Sequence, residues 1–191
     1  MGLRSEQKEK RKEAIIWAAV DQFSSKGYSA TKIEDIANAA GMSSGLLFHY
    51  FDSKENLYEE LIKMGLNGKS LPFEMDFSSP LAFFQNYTVK LFSLVKERPQ
   101  AAKLFVLTAQ AQRGDGAPER IRRLARNENT IEFSAELIRL GQMQGSIRKG
   151  DAMALSLAFW CSVQGIMEQL AVSETLPVPD PDWLLDILRG K

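Results

Sequence analysis

The sequence predicts an all-α fold of about nine helices, divided between a small N-terminal and a larger C-terminal part. Three observations lead to this prediction. Apolar residues recur at helical spacing, whereas no segment shows the two-residue alternation of a strand. Serine, threonine and aspartate precede the apolar stretches, and Gly or Pro interrupts them, as at helix ends. The composition, 45% hydrophobic and 25% charged residues, is that of a globular protein with a substantial core.

Composition also bears on several classes of protein. The net charge is zero, so bulk electrostatics do not indicate a nucleic-acid partner. The single Cys161 excludes an intrachain disulfide and a cysteine-built metal site, leaves a redox role open, and fits a cytoplasmic protein. The charged N-terminus lacks the apolar core of a signal peptide. The uncharged stretch 152–167 is shorter than the ~20 residues that cross a bilayer, so we expect a buried or interface helix and no membrane partner.

The first two helices are predicted from apolar stripes and their boundaries. The first stripe ends near Gly27, a residue that commonly stops a helix. Thr31 and Glu34 fit a capping box, in which each side chain bonds a free backbone N–H of the other residue. The second helix then runs to Gly41. The apolar members of the two stripes are Ile16, Ala19, Val20 and Phe23 in the first helix, and Ile33, Ile36, Ala37 and Ala40 in the second.

A very short third helix and a fourth helix follow. Ser43 or Ser44 can cap the third, which we expect to extend through Phe51. Ser53 can cap the fourth. The apolar face of that fourth helix consists of Leu57, Leu61 and Met64.

The C-terminal part begins after a Gly-, Pro- and Ser-containing segment at residues 68–80, a plausible boundary. By function, we divide the chain into a domain of residues 1–54 and a second of residues 55–191. Proline after a Ser or Asp cap is favoured at a helix start. The helices expected here run from Ser79-Pro80 to Glu97, from Pro99 to Arg113, from Pro118 to Gly145, from Asp151 onward, and from Asp180-Pro181 onward.

The third helix divides its side chains between two faces. At 100° per residue, Leu47 and Phe51 point the same way, toward the core, whereas Gly45, Phe48 and His49 point outward. Leu46 and Tyr50 lie on the flanks. Two short helices joined by a tight glycine turn, the second with an exposed face, describe a helix-turn-helix, whose second helix enters the DNA major groove.

The local chemistry leaves two functions open. The hydroxyls of Thr31, Ser43 and Ser44 and the ammonium of Lys54 can bind phosphate oxygens. Further cations precede the first apolar stripe at Lys8, Lys10, Arg11 and Lys12. However, residues 1–54 hold eight Lys or Arg and seven Asp or Glu residues, a net charge of only +1. A helical small-molecule binding protein without specific DNA binding is therefore the alternative.

The stretch "ATKIEDIANAAGMSSGLLFHYFDSKENLYEEL" resembles the N-terminal domain of the TetR family of bacterial transcription regulators. The resemblance covers roughly residues 10–64. It implies that Ser44, Gly45, Leu46, His49 and Tyr50 lie in or beside the major groove. It also implies that the DNA backbone is contacted by Thr31, Ser43, Phe48, Tyr50 and Lys54.

Three positions depart from the family pattern. Leu46 stands where Thr or Ser is common, and it favours apolar contact, for example with a thymine methyl group. Phe48 stands where Tyr is common and lacks a hydroxyl for phosphate. Ser44 replaces a common Lys. These departures suggest modest affinity for each half-site.

For the C-terminal part, the resemblance implies an effector-binding domain and a homodimer through the last helices, at about residues 151–190. The sequence supports dimerisation, because the uncharged face of the helix after Asp151 is wider than a monomer of this size buries easily. A largely apolar small-molecule effector is expected from aromatic side chains with few polar groups. The candidate ligand-binding residues are Phe84, Tyr87, Phe105, Phe133, Trp160 and Gln164.

The function predicted for the whole chain is a ligand-responsive repressor that the effector releases from double-stranded operator DNA. A catalytic role for His49, the only histidine, would need a nearby nucleophile or carboxylate. The nearest acid along the chain, Asp52, lies where the helix is ending. We therefore expect no enzyme activity, no metal and no cofactor.

Overall fold

The computed structural model describes residues 3–69, 79–114, 116–126, 129–173 and 175–190, and every regular element within these ranges is helical. The all-α prediction is confirmed. The predicted boundary at residues 68–80 falls largely outside the described residues. The helices are α1 (Leu3–Ala30), α2 (Ile33–Ala39), α3 (Ser44–Phe48), α4 (Lys54–Lys69), α5 (Pro80–Glu97), a 3-10 helix (Pro99–Ala102), α6 (Lys103–Arg113), α7 (Glu119–Arg126), α8 (Thr130–Met143), α9 (Ala152–Val172) and α10 (Pro181–Leu185).

The chain packs as two compact units. The first comprises Met1–Leu66 and Lys103–Asn127, and the second comprises Asn67–Ala102 and Glu128–Lys191. Helices α6 and α7 therefore pack with the N-terminal helices, although they lie in the C-terminal part of the sequence. The division at residue 54 was drawn by function and stays a prediction. The division by packing falls elsewhere.

The core of the first unit is formed by α1 to α4 together with α6 and α7. Helix α1 is interrupted at Gly27, whose φ of 76° is non-helical, as the sequence predicted. Ala19, Val20 and Phe23 are fully buried. The fourth member of that stripe was predicted wrongly, because Ile15 is fully buried and Ile16 only half-buried. Adjacent isoleucines fit the same helical stripe almost equally well, so packing decided between them.

The predicted serine caps are present. The Ser43 Oγ accepts the Leu46 N–H at 3.3 Å, and the Ser53 Oγ accepts the Asn56 N–H at 3.0 Å. Helix α3 is shorter than predicted: it ends at Phe48, and the N–H groups of residues 50 and 51 both donate to the Leu47 carbonyl. The chain therefore turns immediately after the exposed face of α3.

The predicted capping box at Thr31 and Glu34 is wrong. Helix α2 begins after Lys32, whose side chain makes no capping hydrogen bond. The Thr31 hydroxyl lies 2.7 Å from the Gly27 carbonyl oxygen, to which it donates, and so is directed toward α1 rather than toward α2. The turn at Gly27 places a carbonyl oxygen within hydrogen-bonding distance of the Thr31 hydroxyl, which therefore does not cap α2.

In the second unit, three predicted helix starts are confirmed, whereas the helix expected from Pro99 begins as the 3-10 helix Pro99–Ala102. Pro80 opens α5, the Asp151 carboxylate accepts the Ala154 N–H at 2.8 Å, and the Asp180 carboxylate accepts the Asp182 N–H at 2.9 Å. The predicted single helix from Pro118 to Gly145 is wrong. Its two parts are α7 and α8, which belong to different packing units.

Helix α9 is the most apolar element. It is long and apolar enough to cross a membrane by length and composition alone, a test that a core helix also passes. One face packs on α8: the Ser156 hydroxyl donates to the Ile131 carbonyl at 2.8 Å, and the Trp160 Nε1–H donates to the Ser134 hydroxyl at 2.8 Å. The opposite face is exposed and includes Met153, Leu157, Cys161, Gly165 and Val172.

Candidate nucleic-acid interface

Helix α3 is anchored on one side and exposed on the other. Leu47 is fully buried and Phe51 is 3% exposed, whereas Phe48 is 48% exposed and Gly45 and His49 are also exposed. The orientation predicted from helical spacing is confirmed. Leu47 lies within α3 and Phe51 three residues after its end, and burial of both side chains holds the outward face of α3 in one direction.

The flanks of this face carry the remaining predicted contacts. Ser44 and Leu46 are half-buried, and Ser43 is exposed with its hydroxyl occupied as the cap of α3. Tyr50 is half-buried and packs against the core of the first unit. An exposed strip of Gly45, Phe48 and His49 is thus bordered by short hydroxyl and apolar side chains, which suits approach to a groove.

Two of the predicted phosphate contacts are placed differently from expectation. Thr31 is 1% exposed, so its hydroxyl cannot reach a phosphate in this arrangement. The Lys54 Nζ donates to the carbonyls of Tyr28 at 2.8 Å and Thr31 at 3.0 Å, and it lies 4.3 Å from the centroid of the Tyr28 ring. Burial lowers the pKa of Lys54, and burial together with the charge of Glu55 raises the pKa of Tyr28.

The cations before the first apolar stripe lie on helix α1 itself. Helix α1 starts at Leu3, and residues 8–11 are exposed on it. Lys12 lies with its Nζ 6.0 Å from the centroid of the Phe51 ring, next to the end of α3. This ammonium therefore lies near the side on which Phe51 packs, a placement that sequence order alone does not reveal.

The predicted ligand-binding residues come together only in part. Phe84 contacts Phe159 at 5.0 Å between ring centroids, and Tyr87 contacts Trp160 at 4.9 Å, in a buried cluster of the second unit. The hydroxyl of Ser134 is the polar partner of Trp160. Ser134 and Phe159 were missed, because a serine and a phenylalanine on apolar helix faces carry no signal of their own.

The other three predicted ligand residues lie on α6, α8 and α9. Phe105, on α6, is 4% exposed, and Phe133, on α8, is 44% exposed. The amide of Gln164 donates to the Glu168 carboxylate at 2.8 Å, one turn along α9. The structure thus brings Phe84, Tyr87 and Trp160 into one cluster, and the ligand-binding role of the six residues stays a prediction.

The second unit also has an open groove of about 200 Å³. Its walls are mostly apolar, and a lysine and a serine lie among the lining residues. Within the described ranges, no three His, Cys, Asp or Glu side chains lie together as metal ligands would. The groove is lined by Val95, Lys96, Pro99, Leu170, Ser173, Leu176 and Val178.

Comparisons with known proteins agree with this geometry. The sequence model of the bacterial regulatory proteins of the tetR family matches residues 15–61. The chain is 33% identical over 167 residues to the HTH-type transcriptional regulator RutR of Escherichia coli K12, an alignment that covers 85% of this chain and 76% of RutR. The chain belongs to the TetR family. It is thus a helix-turn-helix transcriptional regulator, and α2 and α3 are its motif.

More distant relatives extend the comparison. The HTH-type transcriptional repressor KstR2 of Mycolicibacterium smegmatis is 27% identical over 141 residues, covering 72% of this chain and 68% of KstR2. The crystal structure of the TetR-family regulator PfmR from Thermus thermophilus matches with a TM-score of 0.70 at 21% identity, covering 92% of this chain and 97% of PfmR. HlyIIR, a hemolysin II transcriptional regulator, matches with a TM-score of 0.64 at 22% identity, covering 96% and 99%. The structural likenesses show that the fold is shared.

Proposed function

We propose that the chain is a homodimeric repressor that binds operator DNA through α3 and is released by a small, largely apolar effector. The observation that carries this proposal is the outward face of α3, held in place by buried Leu47 and Phe51. Such a face in a helix-turn-helix reads base edges in the major groove. We propose no catalytic role, and the protein acts in the cytoplasm, where bacterial operators lie.

The proposed contacts follow the exposure of α3. Ser44, Gly45, Leu46 and His49 face base edges, with Leu46 disposed toward a thymine methyl group. Gly45 lets the helix approach closely, because only the Ser43 hydroxyl, 4.0 Å away, lies near the position of an added Cβ. The proposed backbone contacts come from Ser43, Phe48, Tyr50 and the cations of α1. Thr31 leaves the contact set because it is buried.

Dimerisation is proposed through the exposed face of α9. This face carries Met153, Leu157, Cys161 and Gly165 and no charged residue before Glu168. Burying such a face against its two-fold copy removes apolar side chains from water without desolvating charges. A two-fold dimer can place its recognition helices about one DNA turn, ~34–36 Å, apart. The doubled site compensates for the low net charge of residues 1–54.

The effector is proposed to bind in the second unit, at the cluster of Phe84, Tyr87 and Trp160. The rings supply apolar faces, and Ser134 supplies a polar group beside them. A ligand can shift DNA binding only by its differential affinity for two conformations. An effector that separates these packed rings would favour a different conformation of the unit and thereby release DNA.

The test is binding of labelled DNA from upstream of the gene at several salt concentrations. If each dimer neutralises about 6–10 phosphates, log K falls with log salt at a slope of about −5 to −9. The His49→Ala variant should lose sequence-specific binding, and Asn86→Ala, at an exposed position on α5, should not. Absence of a salt-sensitive, sequence-specific complex would favour the alternative of a helical small-molecule binding protein.

A further inference from the structure

The joint between α1 and α2 is held by side chains rather than by regular helix hydrogen bonds. Gly27 adopts a φ of 76°, so the helical hydrogen-bond ladder of α1 is interrupted there. Carbonyl groups in and before this joint would then lack helix donors. The structure shows which side chains supply the donors.

Thr31 supplies the first donor. Its hydroxyl lies 2.7 Å from the Gly27 carbonyl oxygen and 3.2 Å from that of Gln22. The side chain is 1% exposed and the hydrogen bond is part-buried, so loss of the hydroxyl would remove this donor from the Gly27 carbonyl.

Lys54 supplies the other donors. Its Nζ donates to the carbonyl oxygens of Tyr28 at 2.8 Å and Thr31 at 3.0 Å, and the Tyr28 ring lies beneath it, with its centroid 4.3 Å away. Lys54 is the first residue of α4. The ammonium therefore connects the start of α4 to the segment before α2. The helix-turn-helix, residues 32–53, lies between these two connected points.

We propose that Lys54 and Thr31 are positioning residues for DNA binding, which fix the α1–α2 joint and so orient α3, rather than contacts to phosphate. This inference rests on the proposed function. Two of the three N–H groups of the ammonium are engaged by carbonyls, and its open side is partly covered by an aromatic ring. A lysine held in this way restricts the joint in the free protein, before any DNA is present.

Salt dependence separates positioning from phosphate contact. A lysine that neutralises one phosphate in each subunit contributes about 1.8 to the salt slope of a dimer. A positioning lysine contributes to operator affinity but leaves the slope of log K against log salt unchanged. We expect Lys54→Met and Thr31→Val each to weaken operator binding about tenfold or more, from the loss of part-buried hydrogen bonds, with a slope parallel to that of the wild type.

Matched variants make the test specific. Lys63→Met removes a lysine from the same helix, one that pairs with Glu59 at 2.9 Å, and it should change neither affinity nor slope. Lys54→Arg keeps the charge and helix α4, but a flat guanidinium cannot occupy the point between two carbonyls in the same way, so it should also weaken binding. A shallower slope for Lys54→Met together with full affinity for Lys54→Arg would overturn the proposal.

Amide hydrogen exchange of the free protein provides the second readout. Exchange at residues 28–33 should accelerate in Lys54→Met and Thr31→Val, and remain at the wild-type rate in Lys63→Met and in the α3 surface variant His49→Ala. Unchanged exchange in the first two variants would overturn the proposal. If the wild type binds no specific DNA, the proposed function fails, yet exchange still shows whether these two residues hold the joint.

Discussion

A close crossing of α4 and α6 leaves little room for a side chain at Gly65 in the first unit. A Cβ at this position would lie 2.4 Å from the Thr108 hydroxyl oxygen and 3.0 Å from the Leu104 carbonyl oxygen. The first distance is about 1 Å short of ordinary contact. Thr108 is fully buried and its hydroxyl donates to the Leu104 carbonyl at 2.9 Å, so the side chain cannot simply turn away.

The magnitude for Gly65→Ala follows from two opposing effects. Overpacking a well-filled core costs about 1–3 kcal/mol. Alanine in a helix interior gains about 1 kcal/mol over glycine. The difference is about 0–2 kcal/mol. We expect the upper half of that range, a net loss of about 1–2 kcal/mol in the free energy of unfolding, because the contact with a main-chain carbonyl at 3.0 Å cannot be relieved by a side-chain rotation.

The assay is chemical unfolding followed by circular dichroism at a fixed protein concentration, since a dimer's stability depends on concentration. Gly45→Ala is the matched control, because the nearest atom to its added Cβ is 4.0 Å away. Adding Thr108→Ala should recover part of the loss, visible as a favourable coupling in a double-mutant cycle. If Gly65→Ala is as stable as the wild type, the two helices do not cross this closely and the reasoning fails.

Four further outcomes are expected. Gly45→Ala should weaken operator binding about tenfold while leaving unfolding unchanged or slightly improved, because its methyl group meets DNA and not protein. Leu157→Glu should shift the protein from dimer to monomer in sedimentation, since it places a charge on the face proposed to be buried. Arg120→Ala should cost about 1 kcal/mol in unfolding, because Glu59 is buried and pairs with Arg120 at 2.8 Å, whereas Lys63 remains as a partner. The hydrogen bond from Arg123 and the charge of Arg122 lower the pKa of Glu119. The ionised Glu119 therefore stabilises the fold above its ordinary pKa, and this stabilisation is lost as pH falls through the lowered pKa. Glu119→Gln should remove this loss of stability at acid pH in a pH series of unfolding experiments.

Each of these expectations has an outcome that contradicts it. Full operator affinity in Gly45→Ala would place α3 farther from DNA than proposed. A dimer that persists in Leu157→Glu would move the interface away from the middle of α9. Unchanged stability in Arg120→Ala would mean that Lys63 alone satisfies Glu59, and an identical pH profile in Glu119→Gln would mean that solvent screens the arginine pairs completely.

Much of the first unit could be predicted from local sequence. The i, i+4 spacing of Leu47 and Phe51 determined which face of α3 is buried, and the serine caps at residues 43 and 53 determined where α3 and α4 begin. These features depend on side chains within one or two turns, so a pattern in the sequence is sufficient. The same locality explains the correct helix starts at Pro80, Asp151 and Asp180.

The candidate pocket and the packing units could not be predicted in the same way. Helical spacing shows that Phe84, Phe105 and Phe133 are compatible with buried faces, but not which helices meet. The structure buries the side chains of Phe84 and Phe105 and leaves that of Phe133 44% exposed. Contacts between distant segments depend on how whole helices pack, and the apolar spacing within one helix does not specify which helix it packs against.

The α1–α2 joint shows the same limit at a single residue. The sequence by itself determined that α1 is interrupted at Gly27 and that a short helix with an exposed face follows. Only the tertiary structure decided that the Thr31 hydroxyl turns back to Gly27, and that Lys54, 26 residues beyond Tyr28, donates to its carbonyl. A flexible lysine can serve phosphate, water or a carbonyl equally well by its chemistry, so its partner is set by which acceptors the folded chain brings within 3 Å.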